Sequence, residues 1–196
     1  MKPHRFLPPQ LCALLLFVSA LATSYAVDGP GRWSVDKANA WLADRGWLRG
    51  ANFTPSTAIN QLEMWQAETF DEAAIDRELG YAEKLGLNSM RVFLHDLPWQ
   101  QDREGFTKRI ERFLALAEKH KISVLFTIFD SCWHPLPKAG TQPTPLPHVH
   151  NSGWVQSPGV AALQDAAAEP RLREYVVGVI RQFANDRRID GWDIWN

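Results

Sequence analysis

The chain has 196 residues, of which 45% are hydrophobic and 22% are charged, and its formal net charge is −1. This composition is that of an ordinary globular protein and excludes a disordered or collagen-like chain. The nearly balanced charge gives no indication of a nucleic-acid partner. The length suffices for one medium domain but is short of the roughly 250 residues of a complete (β/α)8 barrel.

The first 26 residues have the pattern of a secretory signal peptide. A basic start is followed by an apolar run at 11–22 and by small residues at Ser24 and Ala26, ahead of a cleavage site. The run is shorter than the about 20 residues that span a bilayer, which makes a membrane anchor the weaker alternative. We therefore expect 1–26 to be removed and 27–196 to be secreted or periplasmic in a bacterium, with no membrane attachment.

Two cysteines are present, and Cys12 belongs to the predicted signal peptide. Cys132 is then alone, so an intrachain disulfide cannot form. This suits a bacterial secreted or periplasmic enzyme that is stabilised by a large core. No suitably placed His and Asp or Asn accompany Cys132, which favours a buried bystander over a nucleophile.

Strand and helix patterns alternate along the rest of the chain. Apolar runs predict four strands, at 47–53, 89–94, 123–129 and 189–195. Apolar residues at helical spacing predict three helices between them, near 69–85, 106–119 and 170–183, after a short helix near 34–43. Right-handed crossovers then give a parallel sheet with strand order 1-2-3-4 and helices on its outer side. The sequence therefore predicts an α/β fold.

Two predicted connections are long, at 54–70 after the first strand and at 130–169 after the third. Long connections inside compact domains are usually functional or disordered. These two leave the carboxyl ends of strands, where barrel enzymes place their chemistry. The second is rich in proline, which leaves a linker open as an alternative. Trp154 and Val155 interrupt its polar composition and favour an ordered rim loop.

Four segments, in order, resemble one group of enzymes. The segment 191–196, Gly-Trp-Asp-Ile-Trp-Asn, resembles the fourth strand of clan A glycoside hydrolases, in which the motif continues Asn-Glu-Pro. The segments 50–66, 90–96 and 150–159 look like a family 5 type subgroup of 1,4-β-xylanases and cellulase-family hydrolases. The resemblance implies a TIM (β/α)8 barrel of which residues 27–196 are the N-terminal half, with four strands and three helices.

The resemblance also implies a reaction. Such enzymes hydrolyse β-glycosidic bonds with retention, use two carboxyl groups across the scissile bond and need no cofactor. Asn196 matches the Asn that precedes the acid/base Glu and holds the sugar 2-hydroxyl, and Arg91 matches an Arg beside the nucleophile carboxylate. Both catalytic Glu residues would follow Asn196. The chain would therefore need the C-terminal half of the barrel and would be inactive alone.

Sugar sites also need stacking aromatic rings and hydrogen-bonding groups, which the strand ends and long connections supply. The predicted substrate-binding residues are Asn52, Trp65, His95, Trp99, Trp133 and Trp154. The four tryptophans are candidate stacking platforms, so at least one should be substantially exposed.

Other interpretations of these residues stay open. Arg91 could be a structural ion-pair partner, and Asn196 could be an ordinary strand-end cap. His95 is interpreted as a hydrogen-bonding rim residue and not as a catalytic base. His148 and His150 have a metal-like spacing, but no third ligand accompanies them, so no metal is expected.

The leading hypothesis is a retaining β-glycoside hydrolase acting on plant-type polysaccharides or oligosaccharides such as xylan, mannan or glucan. The alternative is a catalytically inactive, secreted carbohydrate-binding protein, which predicts Gln or Ala where the acid/base Glu would follow Asn196. A barrel enzyme acting on phosphorylated substrates would need a phosphate loop after the seventh and eighth strands, which this chain does not reach.

Overall fold

A computed structural model describes residues 31–196 of the chain. The predicted signal peptide, 1–26, and Cys12 lie outside the described residues. Residues 31–46 belong to one compact unit, and Trp47–Asn196 form another. The first unit contains the predicted short helix, α1 (Val35–Arg45).

The second unit alternates strands and helices. In chain order its elements are β1 (Gly50–Phe53), α2 (Gln61–Trp65), α3 (Glu72–Lys84), β2 (Ser89–Phe93), α4 (Asp96–Gln101), α5 (Arg103–Lys119), β3 (Ser123–Phe129), α6 (Val160–Gln164), a 3₁₀ turn (Ala166–Ala168), α7 (Glu169–Phe183) and β4 (Ile189–Trp195). The three predicted helices are α3, α5 and α7. Helices α2, α4 and α6 were not predicted, because one or two turns are too short to show an apolar period. No helix within residues 31–196 is long and apolar enough to cross a bilayer.

The four strands form one sheet in the order β1-β2-β3-β4, and each neighbouring pair is parallel. The predicted α/β fold is confirmed, and the strand order and direction are those of the first four strands of a (β/α)8 barrel. The register places Asn52 of β1 beside Arg91 of β2, and Arg91 beside Leu125 of β3. Side chains from separate strand ends therefore meet at one edge of the sheet.

One face of the sheet packs against the helices. Phe113 of α5 contacts Phe53 and Phe126, with ring centroids 5.7 Å and 6.4 Å apart. Tyr175 of α7 is fully buried and donates a hydrogen bond from its hydroxyl to the carbonyl of Ile128 at 3.1 Å. Burial raises the pKa of Tyr175 well above its usual value. This apolar face fixes the sheet, while the opposite face carries polar residues such as Arg91.

His120, the residue after α5, joins that helix to α3. Its Nε2 lies 2.8 Å from Asp76 and its Nδ1 lies 2.9 Å from Glu83. Burial lowers the pKa of His120, but the hydrogen bonds with Glu83 and Asp76 outweigh it and raise that pKa above the ordinary 6.5. The same cluster lowers the pKa of Asp76 and the pKa of Glu83. At Asp76 the largest cause is the hydrogen bond with Lys119.

The signs of these shifts predict how stability depends on pH. The raised pKa of His120 gives a stabilisation that is complete below pH 6.5 and is lost as the pH rises through the raised value. The lowered pKa values of Asp76 and Glu83 give a stabilisation that is present above 3.8 and 4.5 and is lost in acid. The cluster therefore stabilises the fold most in weakly acidic solution.

We predict that His120→Gln lowers the free energy of unfolding more at about pH 6 than at about pH 8.5. Urea unfolding followed by circular dichroism at both pH values measures this difference. His134→Gln, at an exposed position, is the matched control and should show no such dependence. An equal loss at the two pH values would contradict the prediction.

Candidate functional site

A cavity of about 480 Å³ opens at the carboxyl ends of the strands. It is lined by Asn52, Thr54, Pro55, Ser56, Ala58, Ile59, Arg91, Phe93, Asp130, Cys132, Trp133, Asn151, Trp154 and Asn196. Its volume falls within the about 300–1,000 Å³ of small-molecule sites. The structure therefore brings together five of the predicted site residues, namely Asn52, Arg91, Trp133, Trp154 and Asn196.

Arg91 is the cation of this cavity, and its charge is paired within the chain. The guanidinium forms an ion pair with Asp193 of β4 and donates a hydrogen bond to Asn196 Oδ1 at 2.8 Å. It also lies 4.8 Å from the ring of Phe93. Thr127 Oγ1, the register neighbour of Asp193, donates to that carboxylate at 3.4 Å. Arg91 thus has a carboxylate partner within the chain, as the alternative of a structural ion pair expected.

Sequence analysis did not assign Asp193 to the site. The pairing of β3 with β4 includes an irregularity between Val124 and Leu125, which sets which residues of β4 share the face of Arg91. Strand alternation could have placed Asp193 on the same face as Gly191, but not beside Arg91, because the register is not encoded locally.

Asp130 is a buried carboxylate that lines the cavity, and it accepts three hydrogen bonds from N–H groups. Its Oδ1 accepts from the amide of Cys132 at 2.9 Å and from Asn196 Nδ2 at 3.1 Å. Its Oδ2 accepts from the indole nitrogen of Trp154 at 2.7 Å. The side chains of Asn196 and Trp154 are therefore fixed to the same carboxylate.

Cys132 lies beside these groups as a half-buried thiol. The hydrogen bond with Asp130 is the largest cause that raises the pKa of Cys132, and burial adds to it. A raised pKa keeps the sulfur protonated and poorly nucleophilic. This agrees with the expectation that Cys132 is not a nucleophile.

Buried side-chain amides join the two long connections to each other. Asn60 Nδ2 donates to Gln142 Oε1 at 2.9 Å and to the carbonyl of Gly153 at 2.8 Å. Gln66 and Gly140 exchange two hydrogen bonds, at 3.0 Å and 2.6 Å. Because these amides are buried, loss of a hydrogen-bond partner would lower the free energy of unfolding. The proline-rich connection is therefore a built wall of the cavity and not a linker.

Two tryptophans offer a surface to the cavity. Trp133 is 50% exposed. Its φ of 73° is a conformation that non-glycine residues rarely adopt, and its ring meets the ring of His150 edge-on at 5.8 Å. Trp154 is half-buried and stands edge-on to Phe93 at 5.4 Å. The expectation that at least one of the four tryptophans is exposed is confirmed by Trp133.

The structure corrects the assignment of Trp65 and Trp99 to sugar binding. Trp65, in α2, has no exposed surface and donates from its indole nitrogen to the carbonyl of Phe93 at 2.8 Å. Trp99, in α4, is 6% exposed and packs edge-on against Phe106 and Tyr175. The short helices that carry them turn both rings into the core, where no sugar ring can stack on them.

The assignment of His95 to sugar binding is corrected as well. His95 has no exposed surface, and its Nδ1 accepts a hydrogen bond from the amide of Leu97 at the start of α4. Asp96 is 1% exposed. Burial raises the pKa of Asp96, but its contacts with His95, Arg171 and Ser157 lower it to about 2. Both side chains lie in the interior and do not reach the rim.

Within residues 31–196, no group of three or more His, Cys, Asp or Glu side chains is arranged to hold a metal ion. His148 and His150 are both exposed, on the connection after β3. The residues that line the cavity supply hydrogen-bonding groups, one internally paired cation, one buried carboxylate and aromatic surface.

No protein-family model and no curated protein matches the sequence. Solved structures that align with it include an endo-β-1,4-mannanase from Thermotoga petrophila, with a TM-score of 0.47, 12% identity, 80% coverage of this chain and 36% of that chain. A β-mannanase from the blue mussel Mytilus edulis aligns with a TM-score of 0.47, 16% identity and coverages of 76% and 41%. The chain thus spans about two fifths of the length of these structures.

Because Trp65 is buried and Trp133 is exposed, we predict that their replacement by alanine changes the free energy of unfolding by different amounts. Trp65→Ala leaves a large void in the core and should lower the free energy of unfolding by about 3–5 kcal/mol. Trp133→Ala removes an exposed ring and should change it by less than about 0.5 kcal/mol. Urea unfolding of both variants measures the two values. Similar losses for the two would show that Trp133 is a core residue too.

Proposed function

We propose that this chain forms the sugar-binding half of the active site of a retaining β-glycoside hydrolase. The proposed substrates are plant-type polysaccharides or their oligosaccharides, such as xylan, mannan or glucan. The observation that supports this best is the meeting of Asn52, Arg91 and Asn196 at one cavity. The sequence resemblance implies that Asn196 holds a sugar hydroxyl and that Arg91 lies beside the nucleophile carboxylate. We also propose that the protein is secreted or periplasmic, on the pattern of residues 1–26.

The cavity has the chemistry to hold a neutral sugar. Asn52 and Asn196 supply amide donors and acceptors for hydroxyl groups. The exposed ring of Trp133 supplies a flat apolar surface on which a sugar face can stack. Arg91 is paired with Asp193, so its charge is compensated without an anionic ligand. A neutral carbohydrate therefore suits the cavity better than an acidic one.

Hydrolysis needs a proton donor and a nucleophile or base. Asp130, which lines the cavity, accepts three hydrogen bonds from neighbouring N–H groups. Asp193 is engaged with Arg91. Neither is placed to exchange a proton with a leaving group. We propose that a second half-barrel supplies both catalytic carboxyls, as the clan resemblance implies.

A catalytically inactive carbohydrate-binding protein is the second candidate. The engagement of Asp130 and Asp193 by neighbouring side chains favours it as a function of this chain alone. The residue that follows Asn196 in the gene separates the two functions. Glu supports the hydrolase, and Gln or Ala supports the binding protein.

Sugar binding is measurable in the purified chain by tryptophan fluorescence during titration with xylobiose, mannobiose and cellobiose. We expect at least one of them to bind, and Trp133→Ala to weaken that binding about tenfold or more, as loss of a stacking anchor does. Trp33→Ala, an exposed tryptophan outside the cavity, is the matched control. Absence of binding by all three disaccharides would refute the proposed function.

We also predict that residues 27–196 alone do not hydrolyse xylan, mannan or soluble cellulose. The reason is that neighbouring groups already engage the carboxylates of Asp130 and Asp193. Reducing-sugar release is the measurement, in material shown to be free of host hydrolases. Turnover well above the blank would instead point to Asp130 or Asp193 as a catalytic carboxyl.

A further inference from the structure

We infer that Asp130 is a positioning residue that fixes the amide of Asn196 for sugar binding. The inference rests on the proposed function, because Asn196 must bind a sugar hydroxyl for its orientation to matter. Asp130 is 2% exposed, so its carboxylate acts on a ligand through its neighbours. The sequence resemblance gives no role to this residue.

The backbone holds Asp130 in place. Its amide donates to the carbonyl of Ser157 at 2.6 Å, and its carbonyl accepts from the amide of Ser157 at 2.9 Å. This bridge ties the end of β3 to the far end of the long connection. The backbone from which the carboxylate projects is therefore fixed by the fold.

The chemistry of its two partners leaves the Asn196 amide one orientation. Arg91 can only donate hydrogen bonds, and an ionised Asp130 can only accept them. Asn196 Oδ1 must therefore face Arg91, at 2.8 Å, and Nδ2 must face Asp130, at 3.1 Å. Asn196 is an exposed residue that lines the cavity. Its amide is thus accessible and already oriented before a ligand arrives.

The second N–H of Asn196 Nδ2 faces only a weak acceptor, so it can bind a ligand. Besides Asp130, the partner of Nδ2 is the sulfur of Cys132 at 3.6 Å. Sulfur is a weak hydrogen-bond acceptor, so a sugar hydroxyl competes with it at little cost. This N–H of Asn196 is therefore the group that donates the hydrogen bond to the sugar hydroxyl.

A carboxylate is needed at position 130 because three N–H donors converge on it, from the amide of Cys132 and the side chains of Asn196 and Trp154. An amide of the same shape has one acceptor oxygen and one NH₂ group. In Asp130→Asn, at least one of the three donors must face this NH₂ group. In either orientation of the new amide, the substitution keeps the volume of the side chain while it removes the charged acceptor that holds Asn196 Nδ2.

A double-mutant cycle tests the inference through the affinity for the best-binding disaccharide among xylobiose, mannobiose and cellobiose. Asp130→Asn should weaken binding on the order of tenfold to a hundredfold, as expected for loss of a hydrogen bond to a charged group. Asn196→Ala should weaken it similarly. The double variant should bind within about threefold of Asn196→Ala alone, because Asp130 acts through Asn196.

Fully additive losses in the cycle, or unchanged affinity in Asp130→Asn, would overturn the inference while leaving the proposed function intact. No binding by the unaltered chain would overturn the proposed function and this inference together. Asp165→Asn, on the same connection but outside the cavity, is the control and should bind like the unaltered chain. If Asp130→Asn does not fold, Asp130→Glu replaces it and must show the same coupling.

Discussion

A line of hydrogen bonds across three strand ends is the constraint on which the cavity depends. It runs from Asp193 through Arg91 to Asn196, and from Asn196 through Asp130 to Trp154. Donors and acceptors alternate along it, so each side chain fixes the orientation of the next. The side chains at the strand ends and Trp154 of the proline-rich connection are therefore held in fixed orientations by the same set of hydrogen bonds.

The sheet makes this line possible. Parallel strands end at one edge, and their register brings Arg91 of β2 and Asp193 of β4 across the intervening β3. The apolar face of the same strands packs against α5 and α7, which holds the strands rigidly enough to support short hydrogen bonds. The positions of the polar side chains on one face of the sheet thus depend on the packing of the apolar face against the helices.

The proline-rich connection, which forms a wall of the cavity, is held by side-chain hydrogen bonds and not by a sheet. The connection after β3 has little regular secondary structure, and the buried amides of Asn60, Gln66 and Gln142 take the place of a strand or helix ladder. Each satisfies backbone or side-chain groups that would otherwise be buried without a partner. This arrangement holds Trp154 against Phe93 and leaves Trp133 exposed beside them.

The periodicity of the sequence was sufficient to predict the strands, the long helices and the parallel order, because those signals are local and repeated. Arg91 and Asn196 were singled out by the family resemblance, and Asn52 by its place at a strand end. Trp65 and Trp99 were misplaced because their burial depends on α2 and α4, which have too few residues to show a period.

The partners of Arg91 and Asp130 could not be predicted either. Contacts such as those with Asp193 and Trp154 depend on sheet register and on the path of a long loop, which no short stretch of sequence encodes.

The most direct measurement is a crystal structure of the chain soaked with the disaccharide that it binds best. The account predicts a sugar hydroxyl within about 3 Å of Asn196 Nδ2. It also predicts a sugar ring against the exposed face of Trp133. A disaccharide bound away from Asn196, with the hydrogen bonds of Arg91 and Asp130 unchanged, would contradict the assignment of this cavity to sugar recognition.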